Sequence, residues 1–260
     1  MTLNFQKYQG TGNDFILIDN LNGAWDSLGI NAIKKLCNRN FGIGADGLIK
    51  INSSAQYDFE MDYYNADGTK SFCGNGARCA VTFLYDNIIF KNKFVFSAID
   101  GMHEAEITEN SVALKMNKTT FEVQPNEPFV LNTGSPHFVK YVSELEQLDV
   151  FNEGRKIRYA SPFEQDGINV NFVKPLSPHS ISIRTYERGV ENETLSCGTG
   201  ATACAIVQAV QMQLFGEQKI DIEVAGGSLK VAFNRVNPTN FIEIKLIGPA
   251  IKVFEGKIEI

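Results

Sequence analysis

Two cysteine-glycine motifs of the same form are the first candidates for chemistry in this sequence. Cys73 opens the segment CGNGA, and Cys197 opens the segment CGTGA, 124 residues further along the chain. Each motif leads into an apolar stretch that predicts a buried helix. Glycines directly before a helix let the backbone approach an anion, which the first N–H groups and the dipole of the helix attract. A cysteine at this position is expected to have a lowered pKa.

Two such thiols suit the inversion of a stereocentre beside a carboxylate. A base on one face removes the α-proton, and an acid on the other face returns a proton. One thiolate and one thiol meet this need, and two helix N-termini can stabilise the charge that spreads into the carboxylate. No cofactor is then required. A single motif of this kind could equally be a structural turn beside a buried cysteine, but its duplication favours chemistry.

The remaining cysteines and the histidines do not form a metal-binding pattern. Cys79 and Cys204 lie in the apolar helices, and these two and Cys37 are predicted to be core residues. The spacings between cysteines match no C-x-x-C motif, and the chain has only 3 histidines. An odd number of cysteines, 5, in a chain of this size also argues against a disulfide framework. We expect no metal and reduced thiols.

Composition and charge limit the partners of the protein. The chain has 260 residues, 43% of them hydrophobic, and a net charge of −6. Its longest basic run is the pair Lys34-Lys35, which argues against nucleic acid and anionic membranes as partners. The N-terminus lacks the pattern of a secretory signal, and no stretch is apolar enough to span a membrane. We therefore expect a cytoplasmic globular protein.

Three segments recur in the same order in the two halves of the chain. The CGNGA and CGTGA motifs lie 124 residues apart, TGNDF and TGSPHF lie 122 apart, and DGLI and DGIN lie 120 apart. This repetition predicts two halves of like topology, over residues 1–122 and 123–249. The polar segment TTFEVQPNEP, at 119–128, is the expected linker.

The elements that position these motifs are mostly strands. Alternating runs rich in branched and aromatic residues predict strands at FILID, GLIKI, KFVFSAI, SVALKM, HFVKYV, INVNFV, SISIRTY, DIEVA, LKVAF and FIEIKL. Helices are predicted over residues 30–40, after each glycine motif, and over 143–150. We expect an α+β chain of two pseudo-symmetric domains, each a curved, mostly antiparallel sheet around a central helix.

The chain resembles the diaminopimelate epimerase family from end to end. The resemblance is carried by YQGTGNDFILID, FGIGADGLI, DYYNADGTKSFCGNGARC, TGSPHFV, GINVNFV, TYERGVENETLSCGTGATA and GPAIKVFEGKI. It implies a cofactor-independent isomerase that converts LL- to meso-diaminopimelate, with the active site between two like domains. It also implies a homodimer and a last strand, near 250–260, that returns to the first domain.

The resemblance assigns roles to individual residues. Cys73 and Cys197 become the two acid/base thiols, with His137 and Glu187 beside them to tune their pKa. Backbone N–H groups at Gly74-Asn75 and Gly198-Thr199 would hold the reacting carboxylate. The remaining implied substrate contacts are Asn13, Asn65, Asn169, Glu187 and Arg188. An arginine can grip the second carboxylate bidentately, and each asparagine can instead be a turn residue with local hydrogen bonds.

Four departures from the family pattern concern substrate recognition and assembly. Ser135 stands where an asparagine is common, and Gly47 stands where a glutamine is common. The VENETLS loop is one residue longer than expected, and Phe254 replaces a common tyrosine in the region used for dimerisation. Because Ser135 and Gly47 differ from the family pattern, the family pattern says least about how this chain recognises the distal end of the substrate.

Other functions use the same residues. A racemase of the same fold acting on proline, hydroxyproline or histidine would keep both thiols, whereas Arg188 and the asparagines favour a substrate with a second charged head. The segment GTGATA resembles a nucleotide-binding fingerprint, but the polar ERGVENETLS precedes it instead of an apolar strand. A Cys-His hydrolase using His137 needs only one thiol. A non-catalytic module could use the glycine motifs as anion nests.

Overall fold

The computed structural model describes residues 1–116, 119–120 and 128–260. The chain divides into two compact units, Met1–Leu114 with Gly248–Ile260, and Lys115–Ile247. The predicted boundary between residues 122 and 123 lies outside the described residues. Of the predicted linker, only residues 119, 120 and 128 are described.

The first unit contains one sheet and two helices. Its elements are β1 (Thr2–Gly10), β2 (Asn13–Asn20), α1 (Ile30–Cys37), β3 (Gly47–Asn52), β4 (Phe59–Asn65), α2 (Gly74–Asn87), β5 (Lys93–Ala98), β6 (Gly101–Thr108), β7 (Ser111–Lys115) and the last strand of the chain, Ile251–Glu259. From β1 to β7 each strand pairs with the next. The pairs β2/β3 and β4/β5 are parallel and the others antiparallel.

The second unit repeats this plan. Its elements are β8 (Thr119–Thr120), β9 (Phe129–Asn132), β10 (Pro136–Tyr141), α3 (Val150–Arg158), β11 (Asn169–Ser177), β12 (Ser180–Glu187), β13 (Asn192–Thr194), α4 (Gly198–Gln211), β14 (Gly216–Val224), β15 (Gly227–Arg235) and β16 (Asn240–Gly248). The pairs β10/β11 and β12/β14 are parallel, and β9/β10, β11/β12, β14/β15 and β15/β16 are antiparallel.

The two units therefore have the same sequence of strand directions and crossovers. In each, a short helix connects the first parallel pair, α1 in one unit and α3 in the other. A longer helix connects the second parallel pair, α2 in one unit and α4 in the other. The α2 helix begins directly after Cys73, and α4 begins directly after Cys197. The predicted α+β fold with two halves of like topology is confirmed.

The long helix is the centre of the apolar core in the second unit. Every residue of α4 from Gly200 to Ala209 is buried. Its small side chains pack against the inward faces of the strands, among them Val139, Val173, Ile183 and Val231. Alanine and glycine on the helix allow this close approach, and the β-branched residues of the strands fill the pleated surface.

One predicted helix is wrong. Residues 143–149 are not helical, and the helix of this region is α3, Val150–Arg158. The Asp149 side chain caps it by accepting a hydrogen bond from the backbone N–H of Asn152 at 3.0 Å. Basic residues in its last turn complement the helix dipole. An N-cap aspartate marks the start of a helix, and basic residues mark its last turn. The prediction from apolar periodicity did not use these two signals.

Each predicted run lies on a strand to within one residue, but several further strands lie outside these runs. The first of these is β1, in which Lys7 points inward with 5% exposure and interrupts the apolar alternation. An ion pair with Asp14, at 2.7 Å between Nζ and Oδ2, makes that inward position tolerable. The last strand of the chain, β17 (Ile251–Glu259), pairs antiparallel with β1.

Candidate active site

Cys73 and Cys197 occupy the same local position in their units. Each is the N-cap residue of a helix, Cys73 of α2 and Cys197 of α4, with similar extended backbone angles of φ −133°, ψ 115° and φ −120°, ψ 110°. Cys73 is partly exposed and Cys197 is 7% exposed. The first N–H groups of a helix have no intrahelical acceptor, so each thiol stands beside donors suited to an anion.

The glycines of the two motifs form the first turn of each helix and do not precede it. The helices begin at Gly74 and Gly198. At Gly200 a Cβ atom would lie 2.5 Å from Oδ1 of Asn171, and at Gly76 it would lie 3.1 Å from Cδ1 of Ile49. These glycines are required because the first turn packs closely on the sheet, which fixes the position of each cysteine.

In the first unit, the amide of Asn13 lies beside Cys73. Its Oδ1 accepts hydrogen bonds from Sγ of Cys73 at 3.4 Å and from Nδ2 of Asn75 at 3.3 Å. Its Nδ2 donates to Oδ2 of Asp46 at 2.6 Å. Because the carboxylate can only accept, this bond determines which end of the amide faces the thiol.

A charge network holds Asp46 and the start of β2 in place. Arg39 donates to both carboxylate oxygens of Asp14, at 3.0 and 2.7 Å, and to Asp46 at 2.8 Å. Burial opposes ionisation of Asp14, but the hydrogen bonds from Arg39 and Lys7 outweigh it and hold the pKa of this carboxyl below its usual range. Arg39, Asp14 and Asp46 are functional neighbours that the sequence analysis did not identify.

Asn65 organises the turn that leads to Cys73. Its Nδ2 donates to the carbonyl and hydroxyl oxygens of Thr69, at 3.2 and 3.0 Å, and to Oγ of Ser71 at 3.2 Å. This is the local role that asparagine often has in turns. In this structure the side chain thus supports the chain segment before the cysteine.

The space beside Gly47 is filled by a tyrosine. A Cβ atom at Gly47 would lie 2.3 Å from Cε2 of Tyr63 and 2.5 Å from the carbonyl oxygen of Tyr64. Tyr63 is 7% exposed, and its ring packs edge-on against Phe15 at a centroid distance of 5.8 Å. The glutamine that the family pattern expects at position 47 has no room here.

In the second unit, a hydroxyl group connects His137 to Cys197. The Thr199 hydroxyl lies 2.9 Å from Nε2 of His137 and 3.5 Å from Sγ of Cys197. The Ser135 hydroxyl lies 3.0 Å from the same Nε2 and 3.2 Å from Oγ1 of Thr199. Ser135, at the position of a common family asparagine, therefore belongs to the cluster at the thiol.

Asn171 determines the tautomer of His137. Its Nδ2 donates to the carbonyl oxygen of Phe138 at 3.0 Å and lies 3.1 Å from Nδ1 of His137, while its Oδ1 accepts from Thr185 at 3.0 Å. Since the carbonyl can only accept, Nδ1 receives a hydrogen bond and the ring proton is on Nε2. Asn171 was not among the predicted site residues.

His137 is a neutral hydrogen-bond donor in the folded protein. Its side chain is fully buried. Burial and then the positive charge of Arg188 lower its pKa to about 3, against a smaller upward effect of the Asn171 hydrogen bond. At neutral pH, Nε2–H therefore donates toward the Thr199 and Ser135 hydroxyls, and the Thr199 hydroxyl can donate to Cys197.

Asn169 joins two loops of the predicted site. Its Nδ2 donates to Oγ of Ser135 and to the carbonyl oxygen of Pro136, both at 3.0 Å. Its Oδ1 accepts the backbone N–H of Arg188 at 2.9 Å. The Arg188 guanidinium donates through Nη1 to the carbonyl oxygen of Asp166 at 2.9 Å. Asn169 therefore positions Arg188 relative to the His137 cluster.

Glu187 ends β12, and the loop after it forms a short hairpin. The hydroxyl of Thr194, on β13, donates to Oε2 of Glu187 at 2.9 Å. Glu191 accepts from the Gly189 N–H at 3.1 Å and from Nε of Arg158 at 3.2 Å. Pairing of β12 with β13 accommodates the longer VENETLS loop between Arg188 and Cys197.

The other three cysteines are buried, as predicted for core residues. Burial raises the pKa of Cys37 to about 11, and burial also raises the pKa of Cys79 and Cys204. Among the described residues, no group of three or more His, Cys, Asp or Glu side chains could hold a metal ion. The helices in the described part of the chain are all too short or too polar to cross a membrane.

Comparison with known proteins gives the family. A family model described as diaminopimelate epimerase matches residues 5–122 and 129–253. A diaminopimelate epimerase from Flavobacterium psychrophilum is 52% identical over 254 residues, which cover 97% of this chain and 98% of the relative.

Two solved structures share the fold at low sequence identity. A phenazine biosynthesis protein of the PhzF family from Bacillus anthracis has a TM-score of 0.75 at 16% identity, with all of both chains covered. A hydroxyproline epimerase from Agrobacterium vitis has a TM-score of 0.70 at 11% identity, covering 99% of this chain and 91% of that one. The sequence match decides between these functions where the fold does not, and the chain belongs to the diaminopimelate epimerase family.

Proposed function

We propose that this protein interconverts LL- and meso-diaminopimelate by a two-thiol mechanism. Membership of the diaminopimelate epimerase family supports this choice of substrate. Relatives of the chain named diaminopimelate epimerase are up to 52% identical to it. The observation that carries the mechanism is the duplicated arrangement of Cys73 and Cys197, each an N-cap residue at the corresponding place in its unit.

In the proposed reaction, the thiolate of one cysteine removes the α-proton, and the thiol of the other donates a proton to the opposite face. The thiolate becomes a thiol and the thiol becomes a thiolate, so that charge and protons balance. The backbone N–H groups of Gly74-Asn75 and Gly198-Thr199 hold the α-carboxylate, where the charge of the carbanion accumulates. No cofactor is needed for these steps.

The remaining predicted residues act in recognition. We assign Asn13, Asn65, Asn169, Glu187 and Arg188 to the substrate, with Arg188 on the distal carboxylate. His137 and Glu187 tune the thiols, His137 through the Thr199 hydroxyl. Because the mechanism requires reduced thiols, the proposal assigns the protein to the cytoplasm.

Incubation of reduced protein with LL-diaminopimelate in heavy water tests the reaction. We expect meso product with one deuterium at the inverted α-carbon, seen by mass and chiral separation, because the donating thiol has exchanged with solvent. Parallel incubations with proline, hydroxyproline and histidine test the alternative racemases. Exchange or inversion of one of these, without meso product, would contradict the proposed substrate.

We also propose a homodimer formed through the last strand. On β17, Ile251, Val253 and Phe254 are 51%, 56% and 46% exposed, and Phe254 packs edge-on against Phe5 at 5.9 Å. Exposed apolar side chains in a row are suited to a second copy of the chain. Light scattering should give twice the chain mass of 28.8 kDa, and Val253→Glu should halve it, whereas Leu176→Glu should not.

A further inference from the structure

Arg78 is a completely buried cation without an anionic partner. It lies in α2, five residues after Cys73, with 0% exposure. Nε donates to the carbonyl oxygen of Pro249 and Nη2 donates to the Thr11 hydroxyl, both at 3.4 Å. Nη1 has no hydrogen-bond partner, and no carboxylate within the described ranges pairs with this guanidinium.

Such a group is costly to maintain. Burial of an ion without a partner is energetically unfavourable. Burial lowers the pKa of Arg78, whereas the negative charges that Cys79 and Cys73 can carry raise it again. A guanidinium remains protonated under these conditions. A buried cation that has only two long bonds to neutral oxygens is useful where a negative charge forms nearby.

The first turn of α2 lies next to this guanidinium. A Cβ atom on Gly10 would be 3.3 Å from Nη2 of Arg78 and 3.3 Å from the carbonyl oxygen of Asn75, so both groups flank the same backbone position. Asn75 and Cys73 share the Oδ1 atom of Asn13 as acceptor. The guanidinium is thus packed behind the turn that begins at Cys73.

Two other titratable groups near the turn, Cys79 and Asp46, do not supply an anion to Arg78. Cys79 is fully buried on the same helix, and burial raises its pKa, so it stays a thiol. On the strand side, Asp46 accepts a hydrogen bond from Asn13, the acceptor of Cys73, and Arg39 pairs with the Asp46 carboxylate at 2.8 Å. Cys73 is the remaining group near Arg78 that becomes an anion.

We propose that Arg78 is a positioning residue whose buried positive charge favours the thiolate of Cys73. The proposal rests on the role proposed for Cys73 and adds to it a residue that has no contact with the substrate. A charge that is fully buried, as Arg78 is, acts on a nearby anion more strongly than the same charge in water. The helix dipole acts in the same direction.

A matched control exists in the second unit. Arg235 is also buried, at 4% exposure, but its guanidinium donates to the carbonyl oxygens of Ala209, Leu214 and Pro238 at 2.8, 3.2 and 2.9 Å. It also lies over the Phe215 ring at 4.2 Å. Arg235 therefore has a structural role, and its replacement reports the general effect of removing a buried guanidinium.

Alkylation of Cys73 by iodoacetamide from pH 5 to 10, followed by peptide mass spectrometry, tests the proposal. The full chain with Cys197→Ser provides the background. Arg78→Met should slow alkylation of Cys73 at pH 7 about tenfold and move the midpoint of the pH profile upward by about one unit, because thiolate is the reactive form. Arg78→Lys should retain most of the rate, and Arg235→Met should leave the profile in place.

An unshifted profile in folded Arg78→Met, checked by circular dichroism, would overturn the proposal. So would an equal shift in Arg235→Met. If Arg78→Met does not fold, Arg78→Gln replaces it, since the amide can still donate to Pro249 or Thr11 without the charge. The test needs no substrate, so inactivity toward diaminopimelate with an intact Arg78 effect would contradict only the proposed function.

Discussion

At the residue scale, the two thiols have different surroundings although their backbone positions match. Cys73 donates to the amide of Asn13, which Asp46 orients. Cys197 is next to the Thr199 hydroxyl, which a neutral His137 contacts in turn. The first environment offers an acceptor to a thiol, and the second offers a donor to a thiolate. At Cys73 the hydrogen bond to Asn13 thus suits the thiol form, and the buried charge of Arg78 is proposed to act in the opposite direction.

Replacement of Thr199 by valine tests the connection from His137 to Cys197. Valine has the same shape but no hydroxyl, so the thiolate loses a donor worth about 1.5 kcal/mol or more. We expect kcat to fall about tenfold in both reaction directions, with a smaller change in KM. Thr199→Ser, which keeps the hydroxyl, should retain most of the rate. Equal losses in the two variants would show that the methyl group, and not the hydroxyl, matters.

Local motifs identified the cysteines and the glycines of the site, because these residues are adjacent in sequence. They could not identify Asp46 or Asn171 as neighbours of the thiols. Asp46 meets Asn13 because β2 and β3 run parallel, and Asn171 meets His137 because β10 and β11 do. Such contacts depend on strand register, which one sequence does not reveal.

At the element scale, the start of β3 is packed too tightly for any side chain at Gly47. Tyr63 and Tyr64 of β4 would be 2.3 and 2.5 Å from a Cβ atom there. The Tyr63 ring in turn packs on Phe15 of β2, whose side chain also faces the first turn of α2 near Gly76. Displacement of Tyr63 is therefore expected to disturb the segment that positions Cys73.

Gly47→Ala is expected to lower the free energy of unfolding by about 2 kcal/mol, as overpacking does in other cores. Urea denaturation gives this value. Gly29→Ala is the matched control, since no heavy atom lies within 4 Å of a Cβ there and the effect should stay within about 0.5 kcal/mol. An unchanged midpoint for Gly47→Ala would mean that Tyr63 moves aside freely.

The period-2 runs predicted ten strands correctly because at least one face of each is buried in an apolar core, and both faces are buried in β3 and in the first half of β11. Strand β1 was not predicted because Lys7 points inward, where it pairs with Asp14 and donates to the carbonyl oxygen of Gly44. The helix predicted at 143–150 was displaced to Val150–Arg158 because a capping aspartate, not apolar spacing, determines where it begins. The sequence therefore predicted the elements whose position depends on apolar burial. It did not predict those whose position depends on polar contacts of individual side chains.

At the scale of the whole molecule, the buried His137 connects stability to pH. Its pKa is about 3 in the folded protein, against an ordinary value of 6.5. The unfolded chain therefore binds more protons below pH 6.5, and stability falls as the pH decreases from about 6.5 toward 3. At pH 5 this group alone should cost about 2 kcal/mol relative to pH 7.

Urea unfolding at pH 7 and pH 5 measures this effect. His137→Gln removes the titrating group, so the difference between the two pH values should shrink by about 2 kcal/mol. His179→Gln, at an exposed position, should leave the difference as in the parent protein. A pH dependence that is the same in all three proteins would show that His137 is not held neutral by burial.

Two like units, each with a cysteine at the start of its long helix, are the central feature of the molecule. The most direct test compares Cys73→Ser, Cys197→Ser and the core control Cys204→Ser in heavy water with LL-diaminopimelate. We predict that deuterated meso product disappears, by at least about 1000-fold, in each of the first two variants and persists in the third. Substantial epimerisation by either Cys73→Ser or Cys197→Ser would contradict the two-thiol account.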